Sequence, residues 1–150
     1  MQKIAFISEH ASPMALLGGA DGGGQNVYVD HLARQLARLG YQVDIFTRRD
    51  HPLQPPVVEW RSGVRIVHVN AGPVRVLPKE QLLPYMAEFG HAMLRFMRTE
   101  QRSYALAHAN FFMSGMVAQQ LKRLVGLPYV ITFHALGRVR RLAQGQADGF

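Results

Sequence analysis

Short apolar segments alternate along this chain with longer segments in which apolar residues recur every three or four positions. The pattern predicts strands at residues 4–7, 41–49, 104–110 and 129–133, with one or two more at 57–69 around a Ser62-Gly63 turn. It predicts helices at residues 26–39, 82–96 and 114–125. Because strands alternate with helices of this length, we expect an α/β fold: a Rossmann-like parallel sheet with helices on both faces.

The predicted sheet brings distant segments to one edge. In open parallel sheets, ligands bind beyond the carboxyl ends of the strands, where the strand order reverses. Four segments follow predicted strands or lead from a strand into a helix: residues 8–10, the glycines at 22–24, Asn110 and His134. We therefore expect these four segments to lie on one rim and to form a site.

The glycine-rich segment precedes the first predicted helix and includes Gly22, Gly23 and Gly24. Glycines let a ligand approach the main-chain N–H groups, and the helix N-terminus adds a partial positive charge. A dinucleotide fingerprint starting at Gly22 would need glycine at position 27, where Val27 stands, and no P-loop sequence occurs. We expect a phosphate or a sugar here, with a plain surface connection as the alternative.

Composition narrows the classes of function. The 150 residues are enough for one domain, and 48% are hydrophobic, as in folded proteins. The net charge of +7 could serve nucleic acid, an acidic membrane or a phosphorylated ligand, but no nucleic-acid-binding signature accompanies it, and we expect no nucleic-acid partner. The chain has no cysteine, and its histidines lack metal-ligand spacing, so no metal site is expected.

Apolar runs in this sequence are short. None has the length of a signal peptide or of a transmembrane span. A cytoplasmic protein without membrane association is therefore the expectation.

Four sequence blocks carry a resemblance to a known family. They are HASP at 10–13, GGGQNVYVDHLARQLARLGYQVDIFTRR at 22–49, YALAHANFFMSGMVAQQL at 104–121 and LPYVITFHALGRVRR at 127–141. Together they resemble family 4 retaining glycosyltransferases of the GT-B fold, in the branch of sucrose-phosphate synthase, sucrose synthase and MshA-like enzymes.

The resemblance implies that residues 1–150 are an N-terminal acceptor-binding lobe and that the C-terminal nucleotide-sugar-binding lobe is absent from them. The full-length protein would move a hexose from a nucleotide-diphospho-sugar to a hydroxyl of a small acceptor, with or without a phosphate. The nucleotide-sugar is a substrate, and no cofactor is implied. These residues alone would be nearly inactive. The alternative is a stand-alone sugar-phosphate binding or regulatory module without catalysis.

The resemblance also assigns residues to the site. Gly23, Gly24, Gln25 and Asn26 match the loop that touches the acceptor and the phosphate side of the donor, and the two amide side chains can both donate and accept hydrogen bonds. Asn26 could instead cap the helix. His134 matches a catalytic histidine that points at the transferred sugar and stabilises developing charge, without acting as a general base.

Basic residues near the family's acceptor phosphate site are Lys79, Arg138 and Arg140. A guanidinium can make two parallel hydrogen bonds to a phosphate, although a solvated basic surface is the alternative for each residue.

Three further residues are candidates for a supporting role, namely His10, His108 and Asn110. Where this chain has HANFF, related enzymes often carry H-x-H-Y-W, so Asn110 replaces a histidine and Phe111 a tyrosine. Phe111 cannot donate the hydrogen bond of a tyrosine hydroxyl, and this departure argues against an acceptor copied from the MshA-like branch.

Overall fold

A six-stranded sheet forms the centre of the part of the chain described by the computed structural model, residues 1–14 and 23–145. The strands are β1 (Lys3–Ile7), β2 (Gln42–Arg48), β3 (Val57–Arg61), β4 (Val64–Val69), β5 (Leu106–Asn110) and β6 (Tyr129–Thr132). Their order across the sheet is β3-β4-β2-β1-β5-β6. Gly22 and the side chain of Arg140, both named in the sequence predictions, lie outside the described residues.

The sheet is mixed. Five strands run parallel, as predicted, whereas β3 pairs with β4 in the antiparallel direction. Only Ser62 and Gly63 separate β3 from β4, and such a short connection can join only antiparallel strands. Gly63 has φ +76°, which fits the left-handed geometry of tight hairpin turns. The predicted parallel sheet is therefore confirmed for its centre and extended by an antiparallel edge strand.

Helices cover both faces of the sheet, as expected. They are α1 (Gly24–Arg38) on one face and α2 (Met86–Thr99) and α3 (Phe112–Val125) on the other, while a further helix, α4 (Gly137–Gln144), follows β6. On one face, Val29 and Ala33 of α1 pack against Phe6 and Ile45. On the other face, α2 and α3 enclose a larger core whose buried side chains include Ile7, Phe46, Phe89, Met93, Val117 and Leu121. The alternation of Phe6 and Ile7 between the two cores follows from the period of two in a strand.

The predicted helix at 82–96 begins later than expected. Two 3₁₀ turns, Lys79–Gln81 and Leu83–Tyr85, precede α2, and Pro84 lies in the second turn. Proline lacks an N–H group and disfavours the α conformation of the residue before it, so the α-helix starts only at Met86. Lys79 lies in the first of these turns, ahead of the helix.

The order of the strands reverses at β1. This strand pairs with β2 on one side and with β5 on the other, so the crossovers lead in opposite directions from it. In such sheets the crevice for a ligand opens beyond the carboxyl ends of the two strands at the reversal. Residues 8–10 and Asn110 occupy that position. None of the described helices combines the length and the apolar character that a membrane span requires.

Candidate functional site

A buried carboxylate stands at the carboxyl end of β1. Glu9 is 1% exposed, and its two oxygens accept hydrogen bonds from the hydroxyl of Ser114 and from Nδ1 of His10, the latter at 2.8 Å. The His10 ring packs edge-on against Phe111, with centroids 5.2 Å apart. His10 is thus fixed between β1 and the segment that follows β5, and its supporting role stays a prediction.

The start of α1 is tied to the end of β1 by Asn26. Its Oδ1 accepts a hydrogen bond from the Gly23 N–H at 3.2 Å, and its Nδ2 donates to the Ser12 carbonyl at 2.8 Å. The geometry therefore gives Asn26 the helix-capping role that was the alternative from sequence. The first turn of α1 contains no acidic side chain, so its partial positive charge is not offset by an Asp or Glu there.

Gln25 connects the glycine segment to two strands. Its Nε2 donates to the Ser8 hydroxyl at 3.1 Å and lies 3.4 Å from the main-chain oxygen of Asn110, 85 positions away. The sequence placed the end of β1, the start of α1 and the end of β5 on one rim. Residues from these three segments do contact each other.

His134 completes this group from the end of β6. Its Nε2 lies 3.0 Å from Oδ1 of Asn110, and its ring packs edge-on against Tyr28 of α1, with centroids 4.9 Å apart. The residue has φ +58°, and the Ala135 N–H donates to the Phe133 carbonyl at 2.6 Å across it. A three-residue turn with positive φ is strained for a non-glycine residue, and such strain concentrates at functional sites.

A second histidine, His108, lies close to His134 and Tyr28. His108 Nε2 lies 2.8 Å from the hydroxyl of Thr132, which in turn lies 3.3 Å from the hydroxyl of Tyr28. We call the group that surrounds these contacts the rim site; it consists of Gln25, Tyr28, His108, Asn110, Thr132 and His134. Sequence reasoning missed Tyr28 and Thr132, although Tyr28 lies one helical turn after Gln25 and so shares its face.

Both rim-site histidines are held in the neutral form. Burial lowers the pKa of His108, and the neighbouring His134 lowers it further. Burial also lowers the pKa of His134, as does nearby His10, whereas Glu9 raises it by a smaller amount. The rim site therefore offers uncharged hydrogen-bonding groups near neutral pH, which suits hydroxyl groups of a carbohydrate.

The predicted phosphate ligands stand apart from this group. Lys79 lies in its 3₁₀ turn, half-buried, and Arg138 lies in α4 with an exposed side chain. Among the described residues, neither makes a hydrogen bond or an ion pair with the rim site. Their assignment to a phosphate stays a prediction.

A buried arginine on the same rim was not predicted as part of a site. Arg48 ends β2, and its guanidinium donates to the carbonyls of Pro73 at 2.6 Å and of Arg75 at 2.5 Å. It lines a cavity together with Glu9, His10, Thr47, Asp50 and Gln54. Arg48 thus fixes the segment after β4 against the rim. In the described part of the chain, no cluster of three or more His, Asp or Glu side chains is placed to hold a metal ion.

Known proteins are similar to this chain along nearly its whole length. The chain is 43% identical to a D-inositol 3-phosphate glycosyltransferase of Corynebacterium urealyticum over 146 residues, 97% of this chain and 34% of that protein. It is 41% identical to a protein of the same description from Kineococcus radiotolerans, over 99% of this chain and 34% of that protein. The chain thus spans about a third of the length of these curated relatives.

Solved structures extend the comparison. A sucrose-phosphate synthase from Thermosynechococcus elongatus matches with a TM-score of 0.91 and 36% identity, over 99% of this chain and 37% of that one. The catalytic domain of starch synthase IV from Arabidopsis thaliana has a TM-score of 0.58 at 15% identity over 87% of this chain and 28% of its own, and this likeness shows the fold alone.

A family model matches most of the chain. The model is described as a glycosyl transferase 4-like domain, and it matches residues 23–149, a range that starts at the first described glycine of the rim and includes His134. The resemblance first noted in the four sequence blocks is thereby confirmed, as is the Rossmann-like architecture of a GT-B lobe. This chain belongs to the glycosyl transferase 4-like domain family.

Proposed function

We propose that this chain is the acceptor-binding lobe of a retaining glycosyltransferase. The full-length protein moves a hexose from a nucleotide-diphospho-sugar to a hydroxyl of a small acceptor, with or without a phosphate. One observation carries the proposal: Gln25 of the glycine segment and His134, 109 positions apart in sequence, both contact Asn110 at the strand-order reversal. Similarity to a D-inositol 3-phosphate glycosyltransferase and to a sucrose-phosphate synthase supports the same reaction class.

Each part of the rim has a role in this reaction. Gly23 and Gly24 let the phosphate side of the donor come close to the start of α1, where the partial positive charge of the helix favours it. Gln25 binds hydroxyl groups, and His134 lies beside the transferred sugar. Asn26 acts mainly by holding the loop to the helix. His10, His108 and Asn110 support these groups from β1 and β5.

Catalysis in this proposal rests on position and electrostatics. The two substrates are aligned across a cleft, and the leaving diphosphate is stabilised while it takes the proton of the acceptor hydroxyl. No cofactor takes part, because the nucleotide-sugar is itself consumed. The second lobe, which supplies the remaining donor contacts, is not among residues 1–150, so these residues alone transfer almost no sugar. The reaction takes place in the cytoplasm. The partner of this lobe there is a nucleotide-sugar.

The acceptor differs from that of enzymes with tyrosine at position 111. Phe111 is 5% exposed and packs against His10, so this position supplies packing for His10 and no hydroxyl for an acceptor. Lys79, Arg138 and Arg140 remain the groups that would bind an acceptor phosphate. The absence of a tyrosine hydroxyl removes one hydrogen-bond donor, but the positive charges of the three basic residues would still attract a phosphate.

The test uses the full-length protein with UDP-, ADP- and GDP-hexoses and a panel of inositol and hexose phosphates, each paired with its unphosphorylated form. We expect transfer for one donor, with retained anomeric configuration in the product by ¹H NMR. Residues 1–150 alone serve as the control and should give almost no product. Inverted configuration would overturn the retaining mechanism, and sugar-phosphate binding without any transfer would favour the binding-module alternative.

A further inference from the structure

Asn110 is the most constrained polar side chain of the rim. It ends β5, has no exposed surface and lies between β1 and β6. Its Nδ2 donates to the main-chain carbonyls of Ile7 and His108, both at 3.3 Å. Carbonyl oxygens only accept hydrogen bonds, so the NH₂ end of the carboxamide must face them. The opposite end, Oδ1, is therefore the one that faces His134.

This orientation determines which nitrogen of His134 carries the proton. Oδ1 lies 3.0 Å from Nε2, and an amide oxygen has no hydrogen to donate. The contact is a hydrogen bond only when Nε2 is the donor. We propose that Asn110 is a positioning residue that holds the neutral imidazole of His134 in the Nε2–H tautomer and leaves the lone pair on Nδ1.

The orientation of the His134 ring is also fixed. Tyr28 packs edge-on against it, and the turn at φ +58° sets where the side chain leaves the main chain. The titratable groups around it are His108, His10 and Glu9, and Asn110 is the ring's hydrogen-bond partner among the described residues. An amide does not titrate, so it presents the same acceptor at every pH near neutrality. A histidine at position 110 could present either a donor or an acceptor.

The tautomer determines what His134 can bind. A neutral ring with the proton on Nε2 presents Nδ1 as an acceptor, so the group that meets it must be a donor, such as a sugar hydroxyl. This last step rests on the proposed transfer reaction, whereas the tautomer itself does not. His134 then orients a hydroxyl rather than donating a proton to developing negative charge.

The test is ¹⁵N NMR of the chain labelled at its histidine ring nitrogens, at about pH 8, where neutral imidazole dominates. His134→Gln identifies the signals of His134. We expect one protonated nitrogen assigned to Nε2, one unprotonated nitrogen assigned to Nδ1, and a visible proton on Nε2 because the hydrogen bond slows its exchange. Signals averaged between two tautomers, or a proton on Nδ1, would overturn the proposal.

A matched pair of variants separates positioning from general stability. Asn110→Ala should lose the visible Nε2 proton and shift both nitrogens towards the values of a tautomer mixture. Asn26→Ala removes another buried amide of the rim, one bonded to Ser12 and Gly23 rather than to an imidazole, and should leave the His134 signals unchanged. An unchanged spectrum in Asn110→Ala would contradict the proposal. If that variant does not fold, the wild-type spectrum alone decides the tautomer, and neither result depends on whether sugar transfer occurs.

Discussion

The two ends of the sheet contain buried polar groups of different kinds. Near the amino ends of the strands lies a set of mainly charged side chains that we call the amino-end network: Asp44, Arg65, Glu100, Arg102 and Tyr104. Asp44 accepts two hydrogen bonds from Arg65 at 2.8 Å each, one from Arg102 at 3.3 Å and one from the Tyr104 hydroxyl at 2.5 Å. Burial and the adjacent Asp44 carboxylate raise the pKa of Tyr104, which keeps its hydroxyl as a donor.

The rim site, by contrast, is uncharged. Its amides and neutral imidazoles bond to each other and to carbonyls, and His134 sits on strained main chain. The amino-end network is fixed to one arrangement through Asp44, because removing this carboxylate would take the buried partner from both Arg65 and Arg102. Neutral groups beside strained backbone can exchange partners with a ligand at much lower cost. The difference favours a stabilising role for the amino-end network and is consistent with the binding role proposed for the rim site.

The largest effect on stability is expected when Asp44, the carboxylate at the centre of the amino-end network, is removed. Asp44→Ala leaves Arg65 and Arg102 without their buried partner and should lower the free energy of unfolding by about 3–5 kcal/mol. Urea unfolding measures the change. Glu59→Ala, on exposed β3 opposite Arg65, is the control and should change stability by less than about 0.5 kcal/mol. Equal effects would mean that the amino-end network is not the stabilising end.

The imidazole of His134 should matter for activity rather than for stability. His134→Ala in the full-length protein should lower kcat by roughly 10²-fold, the size of loss expected when a group that positions a reacting hydroxyl is removed. The side chain is partly exposed, so the unfolding midpoint should hardly move. Steady-state kinetics and a thermal melt measure the two effects. His91→Ala, on the exposed surface of α2, is the matched control, and similar losses in both variants would contradict a role at the site.

Acid should weaken the rim site through His108. Because burial lowers the folded-state pKa of His108, the unfolded chain binds more protons than the folded one below the ordinary histidine pKa of about 6.5. Stability is then complete above that pH and falls as the pH drops towards the folded-state value. Urea midpoints at about pH 7.5 and about pH 5.5 measure the loss. His108→Gln should show a smaller loss, and an identical pH dependence would be evidence against this assignment.

The smallest expected effect concerns the Tyr28 hydroxyl. Tyr28→Phe removes its exposed 3.3 Å contact with Thr132 but keeps the ring against His134, so stability should change by less than about 1 kcal/mol. Tyr28→Ala also removes the ring and should raise KM or lower kcat further. Comparison of the two variants shows whether the ring or the hydroxyl positions His134. A large activity loss in Tyr28→Phe would assign the role to the hydroxyl.

Local patterns in the sequence determined the architecture. Periodic apolar residues predicted α1, α3 and the parallel strands to within a few positions, because burial of one face imposes the period of each element. The order of strands and helices placed residues 8–10, Asn110 and His134 at one edge before any distance was known. Resemblance in four blocks supplied the family. These results depend on neighbours in sequence and on general rules of sheet topology.

Tertiary structure decided what the sequence left open. Three features depend on contacts between residues that are distant in sequence: the link from Asn26 to Ser12, the position of Tyr28 beside His134 and the fixed guanidinium of Arg48. The proton position on His134 follows from two carbonyls that lie beside Asn110 only in the folded sheet. Hydrogen-bond direction is a property of atoms in space, and periodicity in a sequence specifies faces of an element rather than the partners of single atoms.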